Sequence, residues 1–140
     1  DGYNFLPYLT GKEAKGPRES FFYFSDDGDL TAMRYDNWKF IFMEQREPGT
    51  LAVWFNPYTR LRAPKMFNLR MDPYERADIT SNTYWDWLID HVFMVGPAVG
   101  YVGNFLATFK EFPPRQKAGS FTIDKVMEQM LNTPSPAKMN

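Results

Sequence analysis

The amino-acid sequence predicts an α+β fold, in which an antiparallel sheet of about four strands packs against one or more carboxy-terminal helices. Short apolar runs separated by turn residues fill the first half of the chain, and this spacing is typical of strands joined as a meander. Helical periodicity follows only after residue 80. Because strands come first and helices second, one sheet layer and one helix layer are expected.

The first 80 residues are predicted to supply the sheet. Residues 1–19 are interpreted as an extended lead-in loop, rich in glycine, proline and lysine, in which Leu6 and Leu9 are expected to anchor the chain. The sheet itself is expected within residues 20–80. Candidate strands are the apolar and aromatic runs at 20–25, 30–34, 38–43, 51–55 and 67–69.

Two polar stretches between these runs are predicted to be tight turns. The first covers residues 26–29, where Gly28 can adopt a positive φ at little steric cost. The second is Asp36-Asn37, between the second and third candidate strands. Both turns are short enough to join neighbouring antiparallel strands.

The second half of the chain is predicted to be helical. Ser81 or Asn82 is expected to cap a helix over residues 83–95, because a short polar side chain can accept hydrogen bonds from the unpaired N–H groups of a first turn. The Gly96-Pro97 pair is expected to end or kink that helix, because proline interrupts the hydrogen-bond ladder of a helix interior.

The helical region, residues 81–132, is expected to continue with a second, irregular helix at 99–109 and a final helix at 123–131 capped by Thr122. Apolar side chains of the final helix recur at spacings of three and four residues, which is typical of an amphipathic helix. They are Ile123, Val126, Met127 and Met130. Residues 133–140 are interpreted as a loose tail.

The stretch 92–109 carries no formal charge over eighteen residues. That length is near the minimum for a membrane span. Pro97 and the glycines of the stretch favour a buried or interfacial helix pair instead, so no membrane span is predicted. Part of this stretch, or the ring-rich face near Trp85 and Trp87, is expected to be exposed or to be covered by self-association of the chain.

Length and composition limit the function classes. At 140 residues the chain is expected to form one domain, residues 1–140. Its net charge is −1, from 16 basic and 17 acidic residues without a block of one sign, so nucleic-acid binding is not expected. The absence of cysteine excludes a disulfide framework, and a single histidine is too few for a zinc site. A structural or exposed role is expected for that residue, His91.

Two clusters of acidic residues are candidates for metal binding: Asp26, Asp27 and Asp29 in one, and Asp72, Glu75 and Asp78 in the other. The first resembles a fragment of a calcium loop but lacks the glutamate of its twelfth position, so a solvated turn is favoured. In the second, Asp72 is expected to cap the turn at Pro73, and Glu75 to pair with Arg70 or Arg76. No catalytic, cofactor-binding or metal-binding residue is assigned to the chain.

Three segments in series carry a resemblance to a known family. Residues 67–79 have the form F-N-L-x-x-D-P-x-E-x-x-D-I, residues 1–11 read D-G-Y-N-F-L-P-Y-L-T-G, and residues 17–39 contain P-R-E, L-T-A-M-R and W-K in that order. They resemble signature segments near the carboxy-terminal end of sulfatases, the enzymes that hydrolyse sulfate esters. The stretch at 113–121 is similar to the end of bacterial arylsulfatases.

This resemblance implies the carboxy-terminal domain of an arylsulfatase-like sulfuric ester hydrolase, which supports the catalytic domain and its substrate cleft. The amino-terminal catalytic domain is then the expected partner, upstream of residue 1, and the parent protein is expected to be periplasmic or secreted. Arg18, Arg34 and Lys39 match positions of the family pattern, which ion pairs, a domain contact or substrate binding would each explain.

Sulfatases of this family use a formylglycine, made from Cys or Ser in a C/S-x-P-S/A-x-R motif, beside a divalent cation that is usually calcium. The chain has no cysteine, and none of its serines begins that motif. The resemblance therefore implies that the chain is not catalytic alone. Formylglycine, calcium and the sulfate ester are expected only in the catalytic domain of the parent.

Two other classes of function stay open at this point. The first is a free-standing carbohydrate-binding or protein-interaction module, with exposed rings of Trp54, Trp85 or Trp87 as platforms. The second is a small enzyme that uses Asp86 and Asp90. These two acids are four residues apart on one predicted helix face, but the same spacing is ordinary on a solvated face.

Overall fold

A four-stranded antiparallel sheet dominates the computed structural model, which describes residues 2–47, 49–113 and 123–132. The strands follow chain order across the sheet, so the topology is the predicted meander. They are β1 (Ser20–Phe24), β2 (Leu30–Tyr35), β3 (Trp38–Glu44) and β4 (Thr59–Asn68). The α+β prediction is therefore confirmed.

The described helices are mostly short and follow the sheet in sequence. They are α1 (Leu6–Leu9), α2 (Ala77–Thr80), α3 (Tyr84–Asp90), α4 (Val95–Ala107) and α5 (Ile123–Asn132). Three single turns of 3₁₀ helix accompany them, at Ala52–Trp54, Val92–Met94 and Thr108–Lys110.

Both predicted turns are confirmed. Between β1 and β2, the N–H of Ser25 donates to the carbonyl of Asp29 at 2.9 Å, and Gly28 has a φ of +85°. Between β2 and β3, Asp36 has a φ of +50°, a conformation that aspartate adopts more readily than most residues. These turns keep β1, β2 and β3 in consecutive antiparallel pairs.

One face of the sheet forms the hydrophobic core with α3 and α4. Met33, Phe40 and Met66 lie opposite one another across β2, β3 and β4, and all three are buried together with Ala98 of α4. Burial of a side chain of this size stabilises a fold by about 1.5–3 kcal/mol. Half-buried side chains pack around this cluster: Phe22, Tyr35, Trp38, Phe42, Trp87, Leu88, Met94, Tyr101 and Val102.

The fourth strand is longer than the sequence suggested. The prediction of a short strand at residues 67–69 is wrong in extent, because β4 already begins at Thr59. Residues 61–64 form a bulge opposite the single residue Phe42 of β3. Pro64 lies inside this bulge, where the missing N–H costs no ladder hydrogen bond. The charged residues and proline of this stretch concealed the strand in the sequence.

The apolar run at 51–55 is not a strand, and its interpretation as one is wrong. Residues Ala52–Trp54 form a turn of 3₁₀ helix. The side-chain amide of Gln45 donates to the carbonyl of Val53 at 2.9 Å and also to that of Asn56. This side chain ties two loop carbonyls to the residue that follows β3, so the loop backbone is held without joining the sheet.

The predicted single helix at 83–95 is interrupted at His91, between α3 and the 3₁₀ turn Val92–Met94. Helix α3 ends at Asp90, and His91 has a non-helical backbone with φ of −106° and ψ of 8°. The prediction that Gly96 and Pro97 end or kink this helix is wrong, because both residues lie in the first turn of α4. Proline is tolerated there because the N–H groups of a first turn have no partner within the helix. The second predicted helix corresponds to α4.

The start of α3 also differs from the prediction. The position immediately before the helix is Thr83, and no side chain caps the first turn. Ser81, one of the two predicted caps, accepts a hydrogen bond from the N–H of Thr83 at 3.3 Å through its hydroxyl. It therefore orders the chain just ahead of the helix, not the first turn itself.

The lead-in contains one helical turn, α1, and its two leucines are not anchors. Leu6 and Leu9 are 64% and 74% exposed. The contacts that hold this turn are made by aromatic side chains instead, since a Cβ at Gly16 would lie 3.7 Å from Phe5 and 3.8 Å from Tyr8. The prediction of an extended, leucine-anchored lead-in is wrong on both points.

The final predicted helix is confirmed as α5, which extends to Asn132. Its predicted cap, Thr122, and the predicted tail at 133–140 lie outside the described residues. Ile123, Met127 and Met130 of α5 have exposed side chains. Whether α5 covers the sheet stays a prediction.

Candidate functional surfaces

The face of the sheet that is turned away from the Met33–Phe40–Met66 core carries several charged side chains, and an ion-pair cluster occupies the part near β4. The Nζ of Lys65 lies 2.6 Å from a carboxylate oxygen of Glu44 and 2.9 Å from Oδ2 of Asp78, and Nη2 of Arg46 lies 2.7 Å from the same oxygen of Asp78. The Asp78 side chain is 3% exposed. Burial lowers the pKa of Arg46, and the hydrogen bond and charge of Asp78 outweigh that effect and raise it. Two cations and two carboxylates are thus paired within the domain.

A second ion pair on this face joins Lys39 to Glu75. The Nζ of Lys39 lies 2.7 Å and 2.8 Å from the two carboxylate oxygens of Glu75 and 4.7 Å from the ring centre of Tyr23. Glu75 has a φ of +54°, in the left-handed region that a glutamate rarely adopts. The predicted partners of Glu75, Arg70 and Arg76, are therefore wrong. This long-range pair ties the turn that carries Glu75 to β3.

Asp72 stabilises the turn at Pro73, as predicted, although the residue immediately before helix α2 is Arg76. The Oδ2 of Asp72 accepts a hydrogen bond from the N–H of Ala77, the first residue of the helix, at 2.7 Å. The three acids of this cluster, Asp72, Glu75 and Asp78, thus each have their own partner. Across residues 2–47, 49–113 and 123–132, the structure has no group of three His, Cys, Asp or Glu side chains that could hold a metal ion.

His91 has a structural role between the helices. Its Nδ1 lies 2.7 Å from the carbonyl oxygen of Trp87, and its ring centre lies 4.7 Å from Trp87 and 6.1 Å from Trp38. The imidazole thus belongs to the aromatic packing under α3. Asp86 and Asp90 are both exposed on α3. The hydrogen bond of the His91 ring goes to the Trp87 carbonyl and not to either of these acids.

Within the described residues, Arg18 and Arg34 lack the carboxylate partner that Lys39, the third cation of the family pattern, has in Glu75. The Arg18 guanidinium lies 5.1 Å from the ring centre of Tyr3 and 5.6 Å from that of Phe21. The Nε of Arg34 donates to the backbone carbonyl of Asp36 at 2.8 Å. Neither guanidinium forms an ion pair with an acid of the described chain. Both line an open groove of about 730 Å³ beside β1 and β2.

The outer face of the helical layer is apolar and uncovered, as the sequence predicted. The helical run Val92–Lys110 is long and apolar enough to cross a membrane by length and composition, and 6% of it is buried. Phe93 and Val99 are 70% and 60% exposed. A Cβ added to Gly100 or Gly103 would meet nothing within 4 Å, so these glycines face open space.

The loop between β3 and β4 also exposes large apolar side chains. Trp54 and Phe55 are 77% and 83% exposed, although Gln45 fixes the backbone beneath them. Of the three tryptophans considered as ring platforms, Trp54 and Trp85 are exposed, whereas Trp87 packs against His91. Sequence reasoning did not single out Gln45, because a lone glutamine in a polar stretch carries no distinctive signal.

Comparison with known proteins gives a consistent result. Residues 16–136 match the family model of the C-terminal region of aryl-sulfatase. The structure is similar to that of the PsFucS1 sulfatase from Pseudoalteromonas sp., with a TM-score of 0.56 and 24% sequence identity. The similarity covers 84% of this chain and 22% of that protein, so the chain corresponds to a small part of it. No curated protein matches. The chain belongs to the family of aryl-sulfatase C-terminal regions.

Proposed function

We propose that this domain supports the catalytic domain of an arylsulfatase-like sulfuric ester hydrolase and shapes one rim of its substrate cleft. The observation that carries the proposal is the apolar, uncharged outer face of α4, which the described chain leaves open. Uncovered apolar patches of more than a few hundred Å² usually mark interaction sites. In the complete polypeptide, the catalytic domain would cover this face.

The chemistry of the reaction would belong to the catalytic domain. A formylglycine supplies the attacking hydroxyl in sulfatases of the resembled type, and calcium, a hard cation, would be held there by carboxylate and amide oxygens. The clustered acids of this chain, Asp72, Glu75 and Asp78, are instead bound by lysine, arginine and backbone partners. We expect that the purified chain does not turn over a chromogenic aryl sulfate. Turnover above that of a heat-killed control would contradict this division of roles.

The docking face can be tested in the complete polypeptide. Val99→Glu and Leu106→Glu place a charge on the outer face of α4, and we expect both to lower the thermal stability and the aryl sulfatase activity together. Ala14→Glu is the matched control, because Ala14 is exposed on the lead-in. Unchanged stability and activity in both helix variants would overturn the assignment of this face to the catalytic domain.

We assign the rim of the cleft to the loop that carries Trp54 and Phe55. Its backbone is fixed by Gln45, so the two rings are held outward without a packing partner in the described chain. In the complete polypeptide, Trp54→Ala is expected to raise KM for a bulky sulfate ester more than it lowers kcat. Tyr74→Ala removes another exposed ring and serves as the control. Equal kinetic effects of the two variants would count against this assignment.

We further propose a periplasmic or secreted location for the parent protein. The resemblance of the sequence segments to bacterial arylsulfatases supports it. Fractionation of cells that express the complete gene, followed by immunodetection of this domain, tests the location directly. Recovery of the protein in the cytoplasmic fraction would refute it.

A further inference from the structure

Arg34 lies directly opposite Lys39 in the pairing of β2 with β3. Like charges in this arrangement repel and destabilise the sheet. The charge of Lys39 is offset by both carboxylate oxygens of Glu75. The charge of Arg34 has no such counterpart within the described chain, because its Nε hydrogen bond goes to a neutral backbone carbonyl, that of Asp36.

Arg18 approaches the same place from the lead-in. Its guanidinium lies 5.6 Å from the ring centre of Phe21, and Phe21 is the β1 residue opposite Arg34. Arg34 is thus the cross-strand neighbour of the residue whose ring Arg18 contacts. Both arginines line the groove of about 730 Å³, a size within the range of small-molecule sites.

The rest of the groove leaves these two cations available. Two carboxylates also line it, those of Glu19 and Asp36. Glu19 is paired with Lys15, and Asp36 accepts a hydrogen bond from the side-chain amide of Asn37 at 3.2 Å. Lys15 also lines the groove, and the remaining walls are polar or aromatic: Ser20, Phe21, Tyr23 and Tyr35.

We propose that Arg18 and Arg34 form a binding site for a sulfate oxyanion, carried by a small sulfated ligand or present as the free ion. A guanidinium group offers several N–H donors in a planar fork, which suits tetrahedral oxyanions. Aromatic walls can accept the ring of an aryl or sugar sulfate. The site positions an anion and carries no nucleophile. The choice of sulfate as the anion rests on the proposed function, whereas the site itself rests on the two unpaired guanidinium groups.

The test is calorimetric titration of the 140-residue chain with sodium sulfate, against sodium chloride at matched ionic strength. We expect saturable sulfate binding that Arg18→Gln and Arg34→Gln each weaken by about tenfold or more. Arg62→Gln, an exposed cation on β4 outside the groove, should leave the affinity unchanged. Circular dichroism controls for folding, and Arg18→Gln lies on the exposed lead-in, where folding is least at risk.

A second arm separates the two sources of the anion. The chain is titrated with 4-nitrophenyl sulfate and with unsulfated 4-nitrophenol. Tighter binding of the aryl sulfate than of free sulfate supports a sulfated ligand whose ring contacts the walls, and equal binding supports the free ion. The proposal is overturned if titration with sulfate releases no more heat than titration with chloride. It is also overturned if the wild type and both groove variants bind sulfate with equal affinity. Both titrations use this chain alone and do not depend on docking to the catalytic domain. A failure of the proposed function can therefore be distinguished from a failure of the anion site.

Discussion

The hydroxyl of Tyr84 satisfies both backbone groups of Met66. It donates to the Met66 carbonyl at 3.1 Å and accepts from the Met66 N–H at 3.2 Å. β4 is an outer strand of the sheet, so these two groups have no neighbouring strand to bond. Tyr84 is 2% exposed, and its ring packs against Phe67. One side chain thus closes this part of an open sheet edge, which would otherwise be available for pairing with another chain.

Tyr84→Phe is expected to lower the free energy of unfolding by about 1–3 kcal/mol. The ring would remain, but two buried backbone groups would lose their partner, and an unsatisfied buried group costs about that much. Urea denaturation measures the change. Tyr3→Phe is the control, because Tyr3 is exposed. Equal midpoints for the wild type and Tyr84→Phe would show that water replaces the hydroxyl without loss.

The stability of the domain should depend on the ionisation of the same hydroxyl. Burial raises the pKa of Tyr84 to about 12, from an ordinary value of 10.0. Because the pKa is higher in the folded state, the contribution of Tyr84 is fully present below pH 10 and is lost as the pH rises towards 12. The stability difference between the wild type and Tyr84→Phe should therefore be constant up to about pH 10 and narrow above it. A difference that stays constant throughout this range would contradict the linkage.

Asp72→Ala is expected to destabilise the domain by roughly 1 kcal/mol, a loss comparable to that of a helix cap. The reason is that the first N–H of α2 would lose its bond to the Asp72 carboxylate. Asp27→Ala is a matched control, because Asp27 is exposed in the β1–β2 turn. Denaturation midpoints compare the two. A larger effect at Asp27 would assign the stabilisation to turn propensity instead.

The ion pair between Lys39 and Glu75 should contribute measurably to stability. A double-mutant cycle with Lys39→Met and Glu75→Gln is expected to give a coupling energy of about 1 kcal/mol, the upper end for a partly exposed pair. The side chains are 17% and 26% exposed. The same cycle at Lys15 and Glu19, an exposed pair, should give no measurable coupling. Coupling that is equal in the two cycles would exclude a special role for the strained turn at Glu75.

The isolated chain is expected to self-associate through the outer face of α4. Without a covering domain, its apolar side chains can leave water only by contact with another copy. Sedimentation velocity should show a concentration-dependent dimer, and Val99→Glu should restore the monomer. Met71→Glu, which changes another exposed apolar residue outside α4, is the control. A monomer at all concentrations for the wild type would refute the prediction.

Local chemistry made part of the fold predictable. The β1–β2 and β2–β3 turns followed from Gly28 and Asp36, because few residues adopt a positive φ easily. The turn hydrogen bond of Asp72 followed from a short acidic side chain beside a proline, and α5 from its 3- and 4-residue apolar spacing. In each case the decisive interactions lie within a few residues of one another, so the sequence pattern contains them.

The family segments were likewise visible in the sequence, but they did not reveal which cations are paired. Arg18, Arg34 and Lys39 looked equivalent as residues in a pattern. The structure separates them, because Glu75 reaches Lys39 through a left-handed turn 36 positions later in the chain. No local signal indicates that contact. The candidate anion site could therefore be identified only from the tertiary structure.

The sequence by itself determined the α+β class, the strand-then-helix order, the turns and the uncharged character of α4. These depend on periodicity, backbone preferences and charge, which are properties of neighbouring residues. Only the tertiary structure decided that residues 51–55 form a clamped loop, that β4 begins at Thr59, and that Tyr84 closes the sheet edge. Those outcomes depend on contacts between residues distant in the chain, where hydrogen-bond satisfaction outweighs local propensity.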